Sequence, residues 1–463
     1  MDTLITNATV VTGDRSRSVI DHAAVAISGN SVLAVGDASE LERAHPNLER
    51  IDAGGHAVLP GLINAHTHPV LTALRGVVED LPGVTGGAYA INIPFTYQMT
   101  DDERSAFARL GCLEAIKSGT TALLDTTRYV HSYAGAMAET GLRLFLSEGC
   151  FDSDPDRLRE GVYEESRIWG ESLLERAQRL IDGFHDSADG RVQVQVAAHA
   201  ADNCSPWMLA QLLELGERYG LRRTLHFSQS SSEVEAVIRT RGISPGEYLR
   251  QNEWVGPELQ SAHWTAAKPE DIQIMADAGA HMAQCPPTFG RGMQGGADMS
   301  AIFDAGVNVS LGTDAMIEDM FRALTWGMVA YRGKRGGGSI APSPADMLEM
   351  ATHNAAKGLG REAELGSVEP GKRADLILVD LNKAHLAPVS DPVASLVHYG
   401  QGSDVTSVMV DGDWLMRDRV ALTLNERTVL EEAEQARVSA WTRFAERYPT
   451  VQLPPALFVA RTS

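Results

Sequence analysis

The segment LINAHTHP sets His66 and His68 two residues apart. In a strand, residues two apart face the same side, so this H-x-H pair aims two imidazoles at one spot. Such a pair arises easily by chance, and a lone buried histidine is usually a hydrogen-bonded core residue. Three further residues change that balance: His226 in LHFSQS, His263 in SAHW and Asp314 in LGTDA, each closing an apolar, strand-like run. Neutral imidazoles with one carboxylate suit a borderline divalent transition metal (Zn, Co, Fe or Mn) and not Ca²⁺ or Mg²⁺. A metal held by three histidines and a carboxylate, with one position open, lowers the pKa of bound water to about 7. The resulting hydroxide attacks an electrophilic carbon. Asp314, beside that water, would take its proton and pass it to the leaving group. His263 would either hydrogen-bond the attacking or developing oxygen or serve as a further ligand, and the sequence leaves both roles open.

The elements that must position these residues follow from the apolar pattern. The middle of the chain alternates short apolar runs (VLPGLINAHTH, TTALLDTT, LRLFLSEG, VQVQVAAHA, RRTLHFSQ, LQSAHWTA, HMAQCP, VNVSLGTD) with amphipathic stretches such as DDERSAFARLGCLEAIKSG. Continuous apolar strands alternating with helices indicate a parallel sheet covered by helices. Eight such units predict an α/β protein built on a (β/α)8 TIM-like barrel, with the candidate residues at the strand ends where barrel enzymes place their chemistry. A doubly wound sheet would want a phosphate-binding glycine loop after its first strand. GKRGGGS (Gly333–Ser339) lacks the order of such a loop and reads as a turn. The two ends have a different texture, short strands punctuated by Gly, Asp and Asn, which predicts antiparallel pairing. We therefore expect a composite, discontinuous β-sandwich domain over 1–57 plus 362–424, the barrel over 58–361, and a C-terminal helix and tail over 425–463. That helix is expected to pack on the barrel or on a neighbouring subunit.

The net charge of −21 argues against nucleic acid or an anionic membrane as partner. The four cysteines form no C-x-x-C pair and suggest no disulfide scaffold. The first residues lack a basic segment followed by an apolar core, and no apolar run approaches the roughly 20 residues that span a bilayer. These features predict a cytoplasmic enzyme with a small-molecule substrate.

LPGLINAHTHP, AAHAADNCS, LHFSQS, SAHW, LGTDA and ATHNAAKGLG…ELGSVEPGKRADLILVDL resemble the amidohydrolase superfamily, nearest to the group of triazine hydrolases and of guanine and S-adenosylhomocysteine deaminases. The resemblance implies that His66, His68, His226 and Asp314 hold one metal, with His263 beside the water. It also implies a homo-oligomer. His199 matches a family histidine that contacts substrate, although orienting its own loop is an equal reading. No lysine ends the VQVQVAAHA strand, so the carbamylated lysine of two-metal members is missing.

Two departures bear on the substrate. The deaminases carry a ring-protonating glutamate three residues after the fifth-strand histidine, and here that residue is Gln229. An amide donates a hydrogen bond but has no proton to shuttle. Where the family reads H-C-P-x-S-N, this chain has QCPPTF, with Gln284 and Phe289 in place of polar residues. Phe289, with Tyr89, Phe95, Tyr97, Met316 and Ile317, is expected to make an apolar mouth. His199, Gln229 and Phe289 are thus the expected substrate contacts. These features point to metal-dependent hydrolysis of a C–N bond in a small neutral urea-, carbamate- or thiocarbamate-like xenobiotic, as in the phenylurea and molinate hydrolases. The alternative is a deaminase or dechlorinase of an N-heterocycle such as an aminotriazine or purine. A non-catalytic scaffold on the same fold is disfavoured because all five candidate positions are filled.

Overall fold

The computed structural model describes residues 2–79, 88–291, 296–335 and 342–459, without the side chains of 289–291 and 333–335. The barrel strands are Leu62–His68, Thr120–Asp125, Arg143–Leu146 with Gly149–Cys150, Val192–Val194 with Val196–Ala200, Arg223–Phe227, Leu259–His263, His281–Gln284, and Asn308–Leu311 with Asp314–Ala315. Every pairing between them is parallel. All seven residues of Leu62–His68 are buried, the signature of a strand covered on both faces. The ring closes where Asp314 pairs with Thr67 and Ala315 with His68, so the last bridges of the barrel set Asp314 and His68 on neighbouring strands.

The helices between strands have local causes. Asp101–Lys117 starts with a reciprocal capping box between Thr100 and Glu103. Pro206–Tyr219 is capped by the Ser205 side chain, has proline at its first turn and ends on Gly220 at positive φ. The helix Met320–Arg335 runs into the GKRGGGS segment, so the predicted turn begins as helix, and its remainder lies outside the described residues.

Strands from both ends of the chain form one nine-stranded sheet. Thr3–Val11 pairs antiparallel with Val19–Ser28, as the texture predicts, but parallel with Glu49–Asp52 and His56–Pro60. The seven-residue helix Ala38–Ala44 explains the difference, because it returns the chain in the original direction. His56–Pro60 then pairs with Leu376–Asp380 and joins the two ends. Ile5, Val10, Val25, Val58, Leu376 and Met409 bury together between these strands. Arg143, 1% exposed on the third barrel strand, reaches across to Asp375 at 2.8 Å and Asp411 at 2.6 Å, fastening barrel to sheet.

The helix Glu426–Arg447 packs on the barrel. Trp441 donates from Nε1 to the carbonyl of Ala73, and its ring lies 4.3 Å from that of Phe95. Phe95 is therefore 1% exposed core under this helix and not part of a mouth, because Trp441 and Phe444 offer it an apolar partner surface. No helix among the described residues is long and apolar enough to cross a membrane.

Candidate metal centre

The barrel brings His66, His68, His226, His263 and Asp314 together. One ligand atom from each of His66, His226 and His263 lies within 4.8 Å of the others, and the same holds for His66, His68 and Asp314. His68 Nε2 is 3.4 Å from Asp314 Oδ1, and His66 Nε2 is 3.7 Å from the same oxygen. The His263 ring stacks on that of His226 with centroids 5.5 Å apart. Backbone strain concentrates here: His263 and Asp314 adopt φ of 79° and 61°, a region non-glycine residues seldom occupy. Gly312 explains how the eighth strand gets so close to the first. A β-carbon there would meet the His66 carbonyl oxygen at 2.6 Å.

The surrounding hydrogen bonds fix which nitrogens carry protons. His226 Nδ1 is 2.7 Å from the carbonyl oxygen of His199, which only accepts, so Nδ1 holds the hydrogen and Nε2 keeps its lone pair. Thr127 donates its hydroxyl to Asp125 and accepts from His68 Nδ1 at 3.1 Å, leaving His68 Nε2 likewise unprotonated. Those two Nε2 atoms face each other at 3.4 Å. Neither ring nitrogen of the buried His66 has a hydrogen-bond partner among the described residues. Two lone pairs and a carboxylate oxygen converging in this way call for a cation, and the donor set fits one divalent transition metal ion. Burial pushes the His66 imidazole down to about 4 and lowers those of His68 and His226, so the rings are neutral and ready to ligate. Behind them the fully buried Glu318 accepts from Thr67 at 2.7 Å and from Asn64 at 3.2 Å, tying the first strand to the loop after Asp314.

Residues 57–415 match the model of the Amidohydrolase family. The chain belongs to that family. The amidohydrolase is 32% identical over 433 residues to a 5-methylthioadenosine/S-adenosylhomocysteine deaminase of Syntrophobacter fumaroxidans, covering 93% of this chain and 96% of the relative. It is 31% identical over 411 residues to a 5'-deoxyadenosine deaminase of Methanothermobacter thermautotrophicus, covering 88% and 91%. Its fold is similar to that of an adenosine deaminase from Xanthomonas campestris solved with bound zinc (TM-score 0.85, 24% identity, 95% and 99% of the two chains). It is also similar in fold to atrazine chlorohydrolase from Arthrobacter aurescens TC1 complexed with zinc (TM-score 0.83, 22% identity, 94% and 99%). The chain is thus an enzyme of C–N bonds other than peptide bonds.

The remaining expected contacts divide. His199 has its ring 4.8 Å from that of His226 and its carbonyl holding His226 Nδ1, so it orients that imidazole. Asn203 is oriented by accepting from the Ala200 N–H, and its amide then donates to His199 Nδ1, so His199 presents an N–H at Nε2. The Gln229 backbone N–H donates to Glu233 at 2.8 Å, as does that of Ser228 at 2.9 Å. Glu233 is buried, and burial together with the charge of Asp202 pushes its carboxyl well above the usual range. Tyr89 and Tyr163 both donate to Asp202 at 2.7 and 3.0 Å, so Tyr89 braces an acid. Gln284 accepts from Tyr331 at 2.6 Å inside the core. Phe289 lies in the short 3-10 turn Pro286–Arg291, and its own side chain falls outside the described residues. Glu318, Asp125, Asp202 and Glu233 escaped the sequence reading. The one available signal was Glu318, four residues after Asp314.

Proposed function

We propose that this amidohydrolase deaminates an aminated N-heterocycle of the adenine-nucleoside kind, with His66, His68, His226 and Asp314 as the ligands of one zinc, cobalt, iron or manganese ion. The observation that carries this reading is the run of nucleoside deaminases about a third identical along nearly the whole chain. The reaction adds water to the ring carbon and releases the amino group as ammonia, leaving a ring carbonyl. When bound, the ion supplies a Lewis acid and an acidified water. The protein's own groups do the rest. Asp314 accepts the proton of the attacking water and delivers it to the departing amine. His263 hydrogen-bonds the oxygen that develops on the ring carbon. The His199 carbonyl and Thr127 hold His226 and His68 in the tautomers that point lone pairs inward.

Gln229 keeps a second reading open. Its amide can hydrogen-bond a ring nitrogen but cannot protonate it. Cleavage of a urea, carbamate or thiocarbamate, whose carbonyl carbon is already electrophilic, needs no such proton. The test is to incubate metal-loaded enzyme with 5-methylthioadenosine, an aminotriazine, a phenylurea and a thiocarbamate. Ammonia release from the first two supports deamination. Turnover confined to the last two would replace it with the second reading.

A further inference from the structure

Beside the metal centre lies a buried cation whose Nε is left unpaired by the described residues. Arg128 follows the second barrel strand and is 3% exposed, and its buried Nε has no hydrogen-bond partner among the described residues. The charged and phenolic groups acting on it are Tyr97, Tyr133, Glu148 and Asp125. Both acids are already committed. Glu148 accepts from the backbone N–H groups of Tyr129 and Val130 at 2.5 and 2.9 Å. Asp125 accepts from Thr127 on one oxygen and from Tyr133 on the other. Arg104 and Arg176 are also engaged, each lying 4.0 Å over a face of Tyr129. A charge removed from water without a partner is costly, and such a residue is kept where a ligand supplies the partner.

The surroundings say where that ligand sits. Arg128 directly follows Thr127, whose hydroxyl lies 3.1 Å from His68 Nδ1, and its charge acts on both His199 and His68. From His199 a line of rings runs outward: Phe151 at 5.7 Å, Trp169 at 5.8 Å from Phe151, and Tyr97 at 5.0 Å from Trp169. The Tyr97 hydroxyl and the Trp169 indole N–H are buried and lack hydrogen-bond partners among the described residues. An aromatic wall carrying unused donors next to an unused guanidinium suits a flat ring with an acceptor-rich substituent. A guanidinium fork matches a carboxylate in geometry and in charge, one against one.

We propose that Arg128 is a specificity-determining residue that receives a carboxylate on the substrate, so the amidohydrolase prefers a carboxylate-bearing heterocycle to a neutral one. This deepens the deaminase reading and rests on its site. The test measures binding to zinc-loaded enzyme of nicotinate against nicotinamide and benzoate against benzamide, in wild type, Arg128→Met and Arg128→Lys, together with the melting temperature of each. Wild type is expected to bind each acid about tenfold or more tightly than its amide, as a charge-assisted pair provides. Arg128→Met should abolish that preference and melt higher than wild type, because it removes an unpaired buried charge. Arg128→Lys should keep part of the preference. Equal binding of acid and amide to wild type would overturn the proposal. So would a preference that survives in Arg128→Met, since the carboxylate would then sit on the metal, or a lower melting temperature of Arg128→Met with the preference intact, the mark of a structural arginine. Deamination assays are read separately: ammonia release without acid preference removes this proposal alone, and acid preference without ammonia release removes the deaminase reading alone.

Discussion

His226 and His68 each spend one ring nitrogen on a fixed acceptor, the His199 carbonyl and the Thr127 hydroxyl, so that the other is left as a lone pair. Loss of such an outer partner typically weakens metal binding about 10–100-fold. Thr127→Val is therefore expected to lower metal affinity by that factor while the fold persists, as competition with a chelator would show. An unchanged affinity would mean that His68 is held by other means. At Gln229 the chemistry runs the other way. Gln229→Glu would restore a protonating group, and general acids contribute about 10²–10⁴-fold, so ammonia release from an aminopurine should rise by about a hundredfold. No gain would indicate that ring protonation does not limit the reaction. The candidate metal-centre residues were legible because His66, His68, His226, His263 and Asp314 each lie at the close of an apolar run, a coincidence that one H-x-H pair alone would not make. The acids that support them were not. Among 61 acidic residues in the chain, nothing local marks Asp125, Asp202 or Glu233 as buried, and Glu318 is flagged only by lying four residues after Asp314.

At the scale of elements, the site exists because the eighth strand closes against the first. Gly312 permits that approach, and the bridge through Asp314 follows two residues later. Gly312→Ala should destabilise the protein by about 1–3 kcal/mol, the usual cost of overpacking, and should weaken metal binding in the same preparation. Denaturant titration and metal analysis would report both. The barrel strands were legible from their continuous apolar runs and the C-terminal helix from its amphipathic repeat. The parallel pairing inside the terminal sheet was not, because a seven-residue crossover helix looks like a turn in sequence. Phe95 was misread for a related reason: an aromatic residue near a mouth and one under a terminal helix look alike until Trp441 is brought against it.

For the whole molecule, buried acids couple stability to pH. Burial pushes the Asp202 carboxyl up to about 6 from its ordinary 3.8. Between those values the folded chain keeps a proton that the unfolded chain releases, so this group's contribution is present at low pH and is lost as pH rises through about 6. Asp202→Asn stays neutral throughout, so its stability relative to wild type should improve between about pH 4 and pH 7. Chemical denaturation at both ends of that range would show it, and a relative loss would contradict the sign. The claim on which the rest depends is that distant strand ends gather one metal ion, and metal analysis of purified protein tests it most directly. The account predicts one equivalent of divalent transition metal per chain in wild type, and the loss of both metal and turnover in His66→Ala and Asp314→Ala. Metal and activity retained at wild-type levels in either variant would contradict it.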